Sequence, residues 1–141
     1  MFCKYKNELY KVIKENDECL LWNKNKKFVI DFKDIKDIYD VNFIARKDNH
    51  YMTVVGYYYD KSKILTIICN CYNKDFAQQN TGKEIERGVY EVSFDFDNVK
   101  TIEFVMSYLD GNKSSKILNK NEFIEYWDKY NANNFVMKRQ N

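Results

Sequence analysis

The sequence predicts a mainly β protein: two tandem copies of a small strand-rich unit packed together, closed by one C-terminal α-helix. The first observation behind this is an internal repeat. Asp31-Phe32-Lys33-Asp34-Ile35-Lys36-Asp37-Ile38-Tyr39-Asp40-Val41 returns as Asp95-Phe96-Asp97-Asn98-Val99-Lys100-Thr101-Ile102-Glu103-Phe104-Val105, at a constant offset of 64 residues. Asp31, Phe32, Lys36, Ile38 and Val41 recur unchanged, and a repeat on this scale decides how the rest of a chain is read. The second observation is a succession of short apolar or alternating runs separated by Asn-, Asp- and Lys-rich turns, which is the pattern of short strands. The third is a single stretch of helical periodicity near the end, at about 120–131.

The duplication divides the chain into a first β repeat at 1–42, a second at 43–110, and a linker, helix and tail at 111–141. Phe2–Asn7 resembles Phe43–Asp48 at an offset of 41, and continuing the match requires one inserted residue near Asn49. Leu20-Leu21 matches Ile64-Leu65 or Ile67-Ile68. The second repeat is longer, mostly because of a polar insertion at 73–88 with no counterpart in the first. With 141 residues, 45% hydrophobic and 17% aromatic, the chain has enough apolar surface for one compact core, and each repeat alone would bury little. It holds 20 Lys and 17 Asn against 3 Arg and no Pro, a bias toward residues with A/T-rich codons.

Taken in order, Phe2–Tyr5, Leu9–Lys14, Cys19–Trp22 and Phe28–Phe32 read as strands joined by polar turns. Phe32, Ile35 and Ile38 then recur every third residue, the spacing of a tight helical turn. Asp34, and Asn98 in the second copy, have the side chain to cap it. Ile38–Ala45 resumes as a strand that enters the second repeat. There Tyr51–Tyr59 is a long strand and Asp60-Lys61-Ser62 a hairpin turn. Ile64–Tyr72 is apolar enough to be buried on both faces. Tyr90, Val92, Phe94 and Phe96 alternate with polar residues, and Ile102–Tyr108 closes the unit. Four strands, a helical turn and a last strand is the order of SH3-like small barrels, which is the architecture expected of each repeat. Asn112–Ser115 reads as a linker. Asn119 and Glu122 have capping-box spacing, and Phe123, Ile124, Trp127 and Tyr130 share one helical face, expected to pack on the second repeat. A frayed tail is expected over 133–141.

Net charge is +2, and no run of like charge is long enough for a polyelectrolyte tail. No apolar run approaches the roughly 20 residues of a membrane span, and the first residues lack the apolar core of a signal peptide. A cytoplasmic protein with no membrane partner is the expectation, with Cys3, Cys19, Cys69 and Cys71 as free thiols. Cys69-Asn70-Cys71 puts two sulfurs on one strand face, a poor geometry for zinc, so no metal and no cofactor are expected. His50 is the single histidine and stands beside a turn without a nucleophile motif. No pair of carboxylates has a telling spacing. No catalytic residue is assigned, and the chain is read as a non-enzyme. Asp31, Asp34, Asp37 and Asp40 read as one turn cap with solvated neighbours, or as an acidic stripe.

The features pointing to function are two. Tyr57-Tyr58-Tyr59-Asp60 stands at a hairpin tip, where alternation leaves at least one tyrosine exposed, and exposed tyrosines are favoured interface anchors. The insertion 73–88 is a long excursion in a compact unit, a place where function concentrates. It contributes Glu84, Glu86 and Arg87, with Glu91 just beyond. These eight residues form the expected partner-binding site.

Phe2-x-Lys4-Tyr5 and Asp34-Ile35-x-x-Ile38-Tyr39-x-Val41 resemble the opening and closing motifs of SH3-like repeats in bacterial immunity proteins of polymorphic toxin systems. The resemblance covers about 1–110. It implies a non-catalytic inhibitor that binds one cognate toxin protein, possibly a nuclease, and neutralises it. Two other classes stand beside it. One is a small-barrel nucleic-acid-binding module, against which the lysines are scattered among acids. The other is a phage or mobile-element accessory protein acting on a host factor.

Overall fold

The structure, a computed structural model, describes residues 1–131 and Phe135. It is mainly β, and every strand pairing with a defined register is antiparallel. The chain forms two compact units. One comprises Met1–Val41, Met106–Ser114 and the segment from Asn121; the other comprises Asn42–Val105 and Ser115–Lys120.

The first unit begins with β1 (Phe2–Tyr5), β2 (Glu8–Glu15), β3 (Glu18–Trp22) and β4 (Lys27–Asp31), then a 3-10 turn at Phe32–Asp34 and β5 (Ile38–Lys47). The order is β4-β3-β2-β1-β5, so the fifth strand returns to the first, with Phe2 opposite Tyr39 and Cys3 opposite Ile38. The β1–β2 hairpin turns on Lys6 and Asn7, both at positive φ, which matches the twist of the flanking strands. Cys3, Tyr10, Val12, Cys19, Leu21, Ile35 and Ile38 form its core, with Met1, Tyr5, Phe28, Ile30 and Phe32 packed around them.

The second unit repeats this order. After β5 come β6 (His50–Tyr59), β7 (Leu65–Cys71), α1 (Lys74–Gln79), β8 (Lys83–Glu86), β9 (Val89–Asp95), a 3-10 turn at Phe96–Asn98 and β10 (Thr101–Tyr108). The sheet runs β5-β6-β7-β9-β8, and β10 returns to pair with β5. The β5–β6 turn again uses two positive-φ residues, Asp48 and Asn49. Its register puts Ala45 opposite Met52, as Cys3 stands opposite Tyr10. The first strands therefore correspond at an offset of 42, not 41, and no inserted residue is needed near Asn49. On the same logic Leu21, opposite Val12, corresponds to Cys69, opposite Val54, and not to Leu65 or Ile68.

The repeated stretch has one local structure in both copies. Phe32 and Phe96 open the 3-10 turns, and the Ile35 and Val99 N–H groups donate to the Phe32 and Phe96 carbonyls at 3.1 and 3.4 Å. Ile38 and Ile102 are buried where the next strand begins. Phe32, Phe96 and Val99 are half-buried, less enclosed than a core position. Asp31 and Asp95 hold the N-cap positions, three before the expected Asp34 and Asn98, which are the last residues of the turns. Asp95 accepts the Asp97 N–H at 2.9 Å, whereas Asp31 makes no side-chain cap bond.

Two elements differ from expectation near the end. The linker at 112–115 is largely strand, β11 (Lys113–Ile117), paired with β10. Helix α2 (Lys120–Lys129) lies mostly in the first unit, not on the second repeat. Beyond its end, the Tyr130 hydroxyl hydrogen-bonds that of Tyr39 at 2.9 Å, and the Phe2 ring meets Tyr130 edge-on at 4.9 Å. Phe135 is buried with its ring 5.3 Å from Phe2. The frayed tail expected at 133–141 otherwise lies outside the described residues.

Candidate functional site

Strand alternation assigns each side chain of β6, β7 and β9 to the core or to an open outer face. Val54, Cys69 and Val92 register with one another on the core side and are buried. The outer side carries three cross-strand rows: Thr53–Asn70–Glu91, Gly56–Ile68–Ser93 and Tyr58–Thr66–Asp95. Beyond the first row stand Tyr51, opposite Arg46 of β5, and Tyr72, two residues past Asn70. Tyr51, Val55, Tyr58 and Tyr72 are all exposed. A Cβ placed on Gly56 would sit 3.7 Å from Ile68 Cδ1, so the bare glycine puts no side chain over the half-buried Ile68. Glu91, Ser93 and Asp95 form the polar β9 side.

The face also holds unmet hydrogen-bonding capacity. Asn70 Oδ1 and Arg46 Nε are shielded from solvent and make no hydrogen bond among the described residues. Such groups each cost about 1–3 kcal/mol when left unpaired. The Arg46 guanidinium lies 5.5 Å from the Tyr51 ring centroid, which holds the two side chains together.

The expected site residues fall in several places. Tyr58 and Glu91 share the outer face. Tyr57 points to the core side opposite Ile67 and is half-buried; Tyr59 follows on that side but is exposed, its ring edge-on to Tyr57 at 6.2 Å. Asp60 is a turn former: its Oδ1 accepts the Ser62 and Ile64 N–H groups at 2.8 and 2.9 Å. Glu84 lies opposite Tyr90 at the core-side rim, and it and burial push the Tyr90 phenol up, burial foremost. Glu86 and Arg87 are exposed beyond it.

The hairpin tip adjoins the Leu65 end of β7, and β8 adjoins the Cys71 end, six residues away. At about 3.3 Å per residue that is roughly 20 Å, so hairpin and insertion lie at opposite ends of the sheet. Nor is the insertion a loop. Asn73 caps α1 by accepting the Phe76 N–H at 2.9 Å, Phe76 and Ala77 are buried, and β8 pairs with β9.

No family model, curated protein or solved structure matches the chain.

Other sequence candidates resolve into packing. His50 stacks on Phe76 at 4.1 Å, beside the insertion helix. Cys3, Cys19, Cys69 and Cys71 are buried free thiols. Burial, then the neighbouring Cys71, pushes the Cys69 thiol up to about 12, which leaves it protonated and a poor nucleophile. Among the described residues no three His, Cys, Asp or Glu side chains gather as metal ligands. Among them also, no helix is long and apolar enough to cross a membrane. The Asp31–Asp40 stripe is dispersed: Asp31 precedes the turn, Asp34 lies within it, and Asp40 is 3.5 Å from the N-terminal ammonium.

Tyr51, Tyr72, Asn70, Arg46 and Asp95 were not legible as members of a site. Tyr51 and Tyr58 differ by an odd number of residues, so simple alternation puts them on opposite faces. The bulge between Val54 and Gly56 shifts the register by one and brings them to the same side. The one signal for it was Gly56, an isolated glycine within a strand pattern.

Proposed function

We propose that the chain is an immunity protein that binds and neutralises a cognate bacterial toxin domain in the cytoplasm, without catalysis of its own. In this reading each unit is an SH3-like small barrel, and the outer face of β6, β7 and β9 meets the toxin. The observation that carries the reading is the composition of that face. Exposed tyrosines at positions 51, 58 and 72 surround the half-buried Ile68, with carboxylates Glu91 and Asp95 along one side. Aromatic anchors around an apolar centre with a polar rim are what a protein interface needs.

Charge on the face sets register more than attraction. Glu91 and Asp95 stand against Arg46 and Lys83, with Lys83 directly opposite Glu91. Two charges of each sign would orient a toxin that carries the complementary pattern. The repeated meander supports it indirectly, since it accounts for the motifs shared with immunity proteins while leaving one unit free to diverge.

The test is protection. Each domain encoded by the genes flanking this one is expressed in turn from an inducible promoter in a sensitive host, with and without the chain. Growth restored by the chain, and abolished by Tyr51→Ala together with Tyr58→Ala at unchanged expression, is the expected result. Protection that survives both substitutions would place the interface elsewhere, and absence of protection by the unaltered chain would remove the immunity reading.

A further inference from the structure

The outer face of the first unit is sorted by chemistry in a way that its fold does not require. β2, β3 and β4 register so that Lys11, Trp22 and Lys27 form one cross-strand row, Ile13, Leu20 and Val29 the next on that face, and Glu15, Glu18 and Asp31 the third. The intervening residues Val12, Leu21 and Cys19 point the other way and are buried. Ile13 on β2 is 48% and Val29 on β4 57% exposed, large values for aliphatic side chains, with the half-buried Leu20 of β3 between them. The face therefore reads as lysine and tryptophan at one end, an aliphatic belt across the middle, and three carboxylates at the other end.

We propose that this face is the interface of a reversible homodimer, in which the aliphatic belts of two copies stack about a two-fold axis running along the belt. Such a rotation lays β2 on β2 and β4 on β4 while reversing the strands end for end. Leu20 then meets its own equivalent, and the lysine row of each copy lies over the acidic row of the other. The alternative two-fold, parallel to the strands, would set lysines on lysines and carboxylates on carboxylates, which costs too much to compete. The charge order thus selects a single arrangement, and a self-complementary patch is what a two-fold interface demands. No unrelated partner has to be assumed, because the surface already carries its own complement.

The contact is small. Three strands about 4.8 Å apart and five residues of about 3.3 Å each make a footprint well short of the roughly 800 Å² per partner of a tight complex. The dimer is therefore weak, and it forms through a different unit from the face assigned to the toxin.

Sedimentation velocity on the full chain, at loadings from about 10 μM to 1 mM, reads the association directly. The mass should rise with concentration from 17.1 kDa toward twice that value. It should rise less as salt is added. Lys27→Glu sets like charges against Asp31 of the second copy, and Asp31→Lys sets them against Lys27, so each alone should weaken association roughly tenfold or more. An equimolar mixture of the two variants restores both opposite-charge pairs and should dimerise as well as the unaltered chain. Lys27 and Asp31 are both exposed, and circular dichroism verifies that the variants fold. Leu20→Lys should abolish the dimer, which separates stacking of the faces from pairing of the exposed β4 edges. A chain that remains at its monomer mass throughout overturns the proposal, as does a dimer indifferent to Leu20→Lys or a mixture of the charge variants that stays monomeric.

Discussion

Single residues carry more of this structure than their chemistry suggests. Gly82 is one: a Cβ there would fall 2.8 Å from both the Ala77 carbonyl oxygen and Val92 Cγ1, where the insertion returns to the sheet. Gly82→Ala should destabilise the fold by about 1–3 kcal/mol, read as a lower urea midpoint at unchanged slope. The buried thiols and phenols give a pH dependence. Burial raises the Cys3 thiol to about 11, with Cys19 adding to it, the Cys69 thiol to about 12, and the Tyr10 phenol to about 12. Unfolded, cysteine and tyrosine lose their protons near roughly 8.5 and 10. Between those values and the folded ones the folded state binds more protons, so their contribution is whole below about pH 8 and is lost as the pH climbs toward 12. Urea midpoints measured from pH 7 to 11 should hold steady at first and then fall; a midpoint that rises above pH 9 would contradict the burial of these groups. The burial itself was readable, because the cysteines sit in apolar strands, and so was the hairpin turn at Asp60-Lys61-Ser62. That the Asp60 side chain holds this turn was not readable, since an aspartate in a Tyr-Asp-Lys-Ser stretch looks the same whether it accepts backbone N–H groups or faces solvent.

At the scale of elements, polar composition misled where local hydrogen bonding decided. The 73–88 stretch has few apolar residues, yet Asn73 starts a helix whose Phe76 fills a gap beside Phe94 and stacks under His50. Phe76→Ala should therefore cost about 3–5 kcal/mol of stability. The insertion cannot be exchanged for a flexible linker without loss of fold, and hydrogen exchange across β8 and β9 would show whether it is. The strands were legible because their alternation or apolar continuity is strong. The fifth strand of each meander was legible because the repeat marks its start. The bulge in β6 was not, and with it went the membership of the outer face: one extra residue reassigns every side chain beyond it. The helix α2 was placed correctly in sequence but on the wrong repeat, since an amphipathic face names no partner.

For the molecule as a whole, duplication explains both the fold and the division of labour proposed for it. Two units share a strand order and a 3-10 turn before the last strand, and one of them acquired the α1–β8 insertion. The outer face of that unit is the surface on which a toxin is proposed to dock, and Gly56 lies at its centre. A glutamate there, where a Cβ has 3.7 Å of clearance, would project a charge over Ile68 without disturbing the core. The most direct measurement is a calorimetric titration of the purified chain with the flanking-gene domain against which it protects. One-to-one binding is expected, weakened by ~2 kcal/mol in Tyr58→Ala and by at least as much in Gly56→Glu, with both variants melting at the temperature of the unaltered chain. No binding to that domain, together with binding to single-stranded nucleic acid that weakens steeply with salt, would contradict the account.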